Sequence, residues 1–181
     1  MLIHAPRSAL LIIDMQERLM PAIHEGPQVV ANAAWLTRIA GILEVPVYIT
    51  EQYPRGLGNT VAELRELVPE DVVLEKVHFS CAAELYCWDR IQEIDRDQLI
   101  LLGAEAHVCV LQSALGLLQR GKEVYVVADG IGSRRVRDAE LGIARMRTEG
   151  IRVVSREMVA FEWLHAAGTE QFRRISRDFL R

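Results

Sequence analysis

The chain has 181 residues, half of them hydrophobic and a quarter charged, with a formal net charge of −4. A chain of this length buries about 70% of its unfolded surface, enough for one sizeable domain over 1–181 without covalent staples. Acids and bases are interspersed, so no nucleic-acid footprint and no polybasic membrane anchor is expected. The amino terminus, "MLIHAPRSALLIIDMQE", is broken by His4, Pro6 and Arg7 and lacks the three-part form of a signal peptide. No run reaches the ~18 apolar residues of a membrane span. The expectation is a cytoplasmic protein. Its three cysteines, Cys81, Cys87 and Cys109, form no Cys-x-x-Cys pair, so neither a disulfide framework nor a structural zinc site is expected.

In chain order, "SALLIID" (8–14) is a continuous apolar run that stops at an acid. "VVANAAWLTRIAGILE" (29–44) has helical spacing, and "VPVYIT" (45–50) reads as a strand. "TVAELREL" (60–67) predicts a short helix with Thr60 as N-cap and Glu63 closing a capping box. "DVVLEK" (71–76) is a third strand, 83–94 a helix, and "QLILLG" (98–103) a fourth strand followed by an apolar helix. "EVYVVA" (123–128), a helix over 135–150, and "IRVVS" (151–155) come next. Two helices, near 157–166 and 169–179, close the chain. Apolar strands alternating with helices predict a three-layer αβα sandwich, class α/β, around a six-stranded, mostly parallel sheet. The one long irregular stretch, "EQYPRGLGN" (51–59), directly follows a strand and is a place to look for function.

Ligands of such sheets bind at the carboxyl ends of the strands. Three chemistry-bearing residues fall there: Asp14 after strand one, Lys76 at the end of strand three, and Cys109 at the start of the helix after strand four. An acid, an ammonium and a thiol on one rim form a candidate constellation for nucleophilic catalysis. The competing reading of each is local. Cys109 could be apolar filler, Asp14 a turn cap and Lys76 a solvated surface charge. Cys81 and Cys87 read as filler.

"LLIIDMQE", "EKVHFS" and "LLGAEAHVCV" together resemble the motifs of the isochorismatase-like cysteine hydrolases. The loop "TEQYPRGLGNTVAEL" is most similar to the isochorismatase domain-containing subgroup. That resemblance implies sheet order 3-2-1-4-5-6 and a triad of Asp14, Lys76 and Cys109. It also implies a cis peptide at Ala104–Glu105 and an oxyanion hole from the backbone N–H groups of Glu105 and Cys109. It further implies hydrolysis of a small molecule, without a cofactor, by a homo-oligomer. Two departures stand out. Ala106 replaces a hydroxyl residue, and residues 51–60 lack the Asp and His of the nicotinamidase metal site, so no metal is expected.

In the implied chemistry Asp14 takes the Cys109 proton, a thioester forms, and Asp14 returns the proton to the leaving amine. The reference acidities of Cys and Asp differ by about 4.6 pH units, so the transfer is uphill by roughly 6 kcal/mol in water. The helix start and Lys76 are expected to favour the thiolate. Gln52, Tyr53, Phe79 and His107 are candidate substrate contacts, with local packing as the competing reading. "SRRVR" (133–137) reads as a solvated or interface face, or as an anion contact. Phe161, Trp163 and Leu164 are candidates for a subunit interface. Two other functions remain open: vinyl ether hydrolysis of the isochorismate type, and a non-catalytic binding or scaffold role.

Overall fold

The computed structural model describes residues 1–180. Its strands are β1 (Ser8–Ile13), β2 (Val47–Gln52), β3 (Val73–Lys76), β4 (Gln98–Ala104), β5 (Glu123–Gly132) and β6 (Arg152–Val154). They form one sheet in the order β3-β2-β1-β4-β5-β6, with every neighbouring pair parallel. This is the order implied by the resemblance. The main helices are α1 (Gly26–Ile42), α4 (Leu85–Glu93), α5 (Leu111–Gln119), α6 (Val136–Thr148), α7 (Arg156–Leu164) and α8 (Glu170–Phe179), with two short ones, α2 (Pro54–Leu57) and α3 (Ala62–Arg65).

The sheet is covered on both sides because its central strands are apolar on both sides. Alternate residues of a strand point to opposite faces. Leu10 and Ile12 of β1 join Ile100 and Leu102 of β4 beneath α1, α7 and α8. Ala9, Leu11 and Ile13 join Leu99 and Leu101 beneath α4, α5 and α6. Each fully buried Leu or Ile contributes about 1.5–3 kcal/mol over its exposed state, so a polar substitution in β1 would damage one core or the other. At the upper end of the sheet β4 comes unusually close to β1. A Cβ on Gly103, whose φ is +141°, would lie 2.2 Å from the Ile13 carbonyl oxygen. Only glycine accepts both that backbone and that approach.

Several local expectations are corrected. The capping box at Thr60 and Glu63 does not form. α3 starts two residues after Thr60 without a side-chain cap, because the Thr60 N–H and hydroxyl both donate to Glu51, at 2.6 and 2.7 Å. The stretch 51–59 is less irregular than its composition suggests, since β2 runs on to Gln52 and α2 follows. β5 runs four residues past 128, through a register shift against β4 that pairs Ile131 with Gly103. The proposed interface aromatics are divided. Trp163 and Leu164 belong to the α1-side core, where the Trp163 indole donates to Ser8, while Phe161 stays exposed.

Candidate active site

Asp14 directly follows β1 in a left-handed conformation, φ +52°, which Asp tolerates better than β-branched residues do. Its N–H still donates to the Thr50 carbonyl, so the acid stays anchored to β2. Thr50 and Gln52 lie two apart on β2 and therefore share a face, while Glu51 between them points the other way, to Thr60. Gln52 and Lys76 are register partners across β2 and β3. Parallel pairing thus brings Asp14, Thr50, Gln52 and Lys76 together at the carboxyl edge, although they are far apart in sequence.

The side chains of Asp14 and Lys76 are fully buried, and they form an ion pair of 2.7 Å through Asp14 Oδ2. The Thr50 hydroxyl donates to the other oxygen, Oδ1, also at 2.7 Å. The Lys76 ammonium has three further acceptors: Gln52 Oε1 at 2.7 Å and the carbonyls of Phe79 and His78 at 3.1 and 3.3 Å. Cys109 stands beside the same acid, near enough for the two groups to shift each other's proton affinity.

Cys109 lies in a π-helical turn, Ala106–Val110, that precedes α5. The Val108 and Val110 N–H groups both donate to the Glu105 carbonyl, which closes the turn. The Ala104–Glu105 peptide before it is cis. Two side chains tie the turn to the segment after β5. The Glu105 carboxylate accepts from the Arg134 N–H and Nε, at 3.1 and 2.9 Å, and His107 Nδ1 pairs with the Ser133 hydroxyl at 2.9 Å. From behind, α6 packs on the turn through Gly142, where a Cβ would come within 3.0 Å of His107 Cα and 3.1 Å of the Ala106 carbonyl oxygen. Ala106, at the hydroxyl position, is fully buried.

Burial governs the proton affinities. Desolvation raises Asp14 above the ordinary carboxylate range, and the Lys76 charge, the hydrogen bonds from Lys76 and Thr50, and that from Cys109 pull it only part of the way back. Cys109 is pushed up to about 12, first by burial and then by the Asp14 charge, against the pull of Lys76. This corrects the expectation of a thiolate-favouring site. The desolvation of the turn outweighs the helix start, and at neutral pH the resting group is a thiol. Cys81 and Cys87 are also raised by burial, to about 11 and about 12. What separates Cys109 is access, since it is 6% exposed and the other two are fully buried. At Glu105 burial works upward too, but the hydrogen bonds and charge of Arg134 win and hold it below its usual value.

The other candidates are placed as follows. Tyr53 and Phe79 are half-exposed, and Phe79 meets Lys76 through its main-chain carbonyl. Tyr53, Pro54, Arg55, Val77 and Glu84 line a cavity of about 330 Å³ whose wall includes Lys76 but neither Asp14 nor Cys109. The Gln52 side chain is turned inward onto Lys76, and His107 is turned to Ser133. A larger cavity of about 640 Å³ lies over α1 and α3, with Met20, Val30 and Ala34 in its wall and none of the triad. Thr50 and Gln16 were not singled out from the sequence, because their roles depend on partners set by strand register, and Arg134, read there only as part of the basic run 133–137, turns to Glu105. Among the described residues, no group of three or more His, Cys, Asp or Glu side chains is arranged to hold a metal ion. Glu51, the only acid in the stretch where nicotinamidases place theirs, is held by Thr60.

Fold and site together define the class: a three-layer αβα protein with a buried acid, an ammonium and a thiol at the carboxyl edge of a parallel sheet. The isochorismatase domain profile matches residues 8–158, and the chain belongs to that family of hydrolases. It is 40% identical to human isochorismatase domain-containing protein 2 over 176 residues, covering 94% of this chain and 82% of that one. The zebrafish (Danio rerio) protein of the same name is 38% identical over 172 residues, or 94% and 85% of the two chains. The structure of the MAR1 ribonuclease of Caenorhabditis elegans superposes with a TM-score of 0.92 at 32% identity, over all of this chain and 93% of the other. Escherichia coli YcaC, described as an octameric hydrolase of unknown specificity, shares the fold at a TM-score of 0.87 and 22% identity, over 91% and 83% of the two chains. No helix among the described residues is long and apolar enough to cross a membrane.

Proposed function

We propose that this chain hydrolyses an amide-type C–N bond of a small molecule through a thioester on Cys109. The observation that carries the reading is the fully buried Asp14–Lys76 pair with the Cys109 thiol close enough to be coupled to the same carboxylate. A fully desolvated ion pair is at best a weak contributor to stability, so its presence beside a thiol favours a chemical role.

Cys109 Sγ attacks the carbonyl carbon while its proton moves to Asp14. Because the thiol is pushed up to about 12, proton loss and C–S bond formation belong to one step, with no standing thiolate. The carbonyl oxygen becomes an oxyanion held by the backbone N–H groups of Glu105 and Cys109. Collapse breaks the C–N bond, and Asp14 returns the proton to the departing amine or ammonia. Asp14 then removes a proton from water as its oxygen attacks the thioester carbon; the C–S bond breaks, Asp14 returns that proton to Cys109 Sγ, and the acid leaves. Lys76 supplies a fixed positive charge to a site that holds one negative charge throughout. Its four oxygen partners leave it no role as a base.

The half-exposed Tyr53 and Phe79 are proposed to line the entrance. Val136 and Leu141 of α6 and Met158 and Phe161 of α7 are exposed apolar side chains. They support a homo-oligomer, a state reported for YcaC, and light scattering at micromolar concentration should give a mass above that of one chain.

The test of function is a screen of small amides, ureides and isochorismate for product release, with Cys109→Ala as the blank. A short RNA belongs in the screen because of the ribonuclease named above. Release of ammonia or amine by the wild type and not by Cys109→Ala supports the proposal. Turnover that survives Cys109→Ala overturns it.

A further inference from the structure

Gln52 reads from sequence as a loop residue near the rim, open to a substrate. Its hydrogen bonds give it a different task. Its Nε2 donates to the Val77 carbonyl at 2.7 Å, which leaves Oε1 as the atom that faces Lys76 Nζ, also at 2.7 Å. The main chain of Gln52 is held in turn by Gln16, a fully buried side chain. Gln16 Oε1 accepts from the Gln52 N–H at 2.8 Å, and Gln16 Nε2 donates to the Gln52 carbonyl at 3.1 Å and to that of Gly58 at 2.7 Å. The Gln16 amide thus does for the end of β2 what another strand's backbone would do. Gln52 has no free orientation, because main chain and side chain are both committed.

The chain carries 21 basic residues, of which only Lys76 and Lys122 are lysines. An ammonium has three protons in a compact head and no lone pair, whereas a guanidinium is wider and planar. Around Lys76 the two shortest contacts are to Asp14 and Gln52, and the third proton is shared by the carbonyls of Phe79 and His78. Of these four acceptors, Asp14 alone carries charge. A neutral amide oxygen at 2.7 Å therefore aims the ammonium at Asp14 without cancelling any of its charge.

We infer that Gln52 is a positioning residue of the catalytic group, a neutral acceptor that fixes the direction of Lys76 toward Asp14, and not a contact to substrate. The inference rests on the proposed roles of Asp14, Lys76 and Cys109. The charged groups around the thiol are Asp14, Lys76 and Glu105, and Glu105 is neutralised by Arg134. Gln52→Glu keeps the shape of the residue and adds a second carboxylate to Lys76, so the pair and its neighbour carry one net negative charge more.

Two measurements test this. The first is the rate of iodoacetamide alkylation at Cys109 at about pH 9, mapped by mass spectrometry, in the wild type, Gln52→Glu, Lys76→Met and Asp14→Asn. Gln52→Glu should slow it by about 10- to 100-fold, the loss of thiolate expected for a nearby added unit charge at an effective dielectric of about 20. An unchanged rate while only the melting temperature falls would assign Gln52 a purely structural role and overturn the inference. If instead Lys76→Met and Asp14→Asn leave the rate unchanged, the thiol is not coupled to the pair and the proposed function itself falls.

The second measurement does not need that function. In protein labelled with ¹⁵N-lysine only two side-chain ammonium signals are possible. Lys76 should give one protected from exchange with water, and Gln52→Met should broaden or erase it. Absence of the protected signal from the wild type, or its persistence unchanged in Gln52→Met, refutes the positioning role without reference to any substrate.

Discussion

Lys76→Met removes the charge that faces Asp14 and keeps much of the side-chain volume. Asp14 is then a fully buried carboxylate with only the Thr50 hydroxyl as a firm donor. At 2.7 Å the lost attraction is gross, about 6 kcal/mol at an effective dielectric of 20. The carboxylate avoids most of that loss by staying protonated in the folded variant. Keeping the proton at pH 7, against an unfolded value near 3.9, costs about 4 kcal/mol, so the pH-dependent deficit is bounded there. That bound agrees with the ~3–5 kcal/mol typical of breaking a buried pair.

The sign follows from proton counting. A carboxyl whose folded pKa lies above its unfolded value binds more protons when folded, so its favourable contribution is complete below the unfolded pKa and is lost as pH rises. Burial raises Asp14 in the wild type already, and Lys76→Met raises it further. The stability gap between the two proteins should therefore open above the wild-type Asp14 pKa and widen toward neutrality by about 1.4 kcal/mol per pH unit. A smaller part, independent of pH, comes from the Gln52, His78 and Phe79 oxygens that lose a donor. Urea unfolding of both proteins at intervals from pH 4 to pH 9 measures the gap. A gap that is flat across that whole range, or a variant as stable as the wild type at its upper end, would refute the reasoning.

Asp14→Asn keeps the shape of the acid and removes its proton affinity, so acylation of Cys109 in single-turnover experiments should fall by about 10²–10⁴. Near-wild-type acylation would eliminate Asp14 as the base. Gly142→Ala places a methyl 3.0 Å from His107 Cα. It should lower turnover more than it lowers the melting temperature, because the group that must give way is the nucleophile turn; circular dichroism melts beside activity assays would show this. Prolonged chelation and dialysis should leave turnover intact, since residues 51–60 contain no His or Asp. Activity lost to a chelator and restored by zinc or manganese would contradict that.

The succession of strands and their carboxyl ends were legible in the sequence for one reason, while the order of the strands in the sheet was implied only by the family resemblance. A buried central parallel strand is apolar along its length, so the residue where the run stops marks the carboxyl edge: Asp14 stands at such a stop, Lys76 closes the short edge strand β3, and Cys109 lies five residues past the end of β4. The supporting residues were not legible. Thr50 and Gln52 reach Asp14 and Lys76 only because parallel pairing sets β2 between β1 and β3 in a particular register, and register is a property of the folded sheet. Arg134 finds Glu105 only because β5 runs on past the end of its apolar run and delivers the next segment to the nucleophile turn. The short distance from Thr60 to Glu51 defeated a helix cap that local spacing favoured. The thiol shows the same division most clearly. Its position could be read from the chain, but its acidity is a sum of lost hydration and opposed charges from β1 and β3. Those quantities exist only once the sheet has closed over Asp14 and taken it out of water.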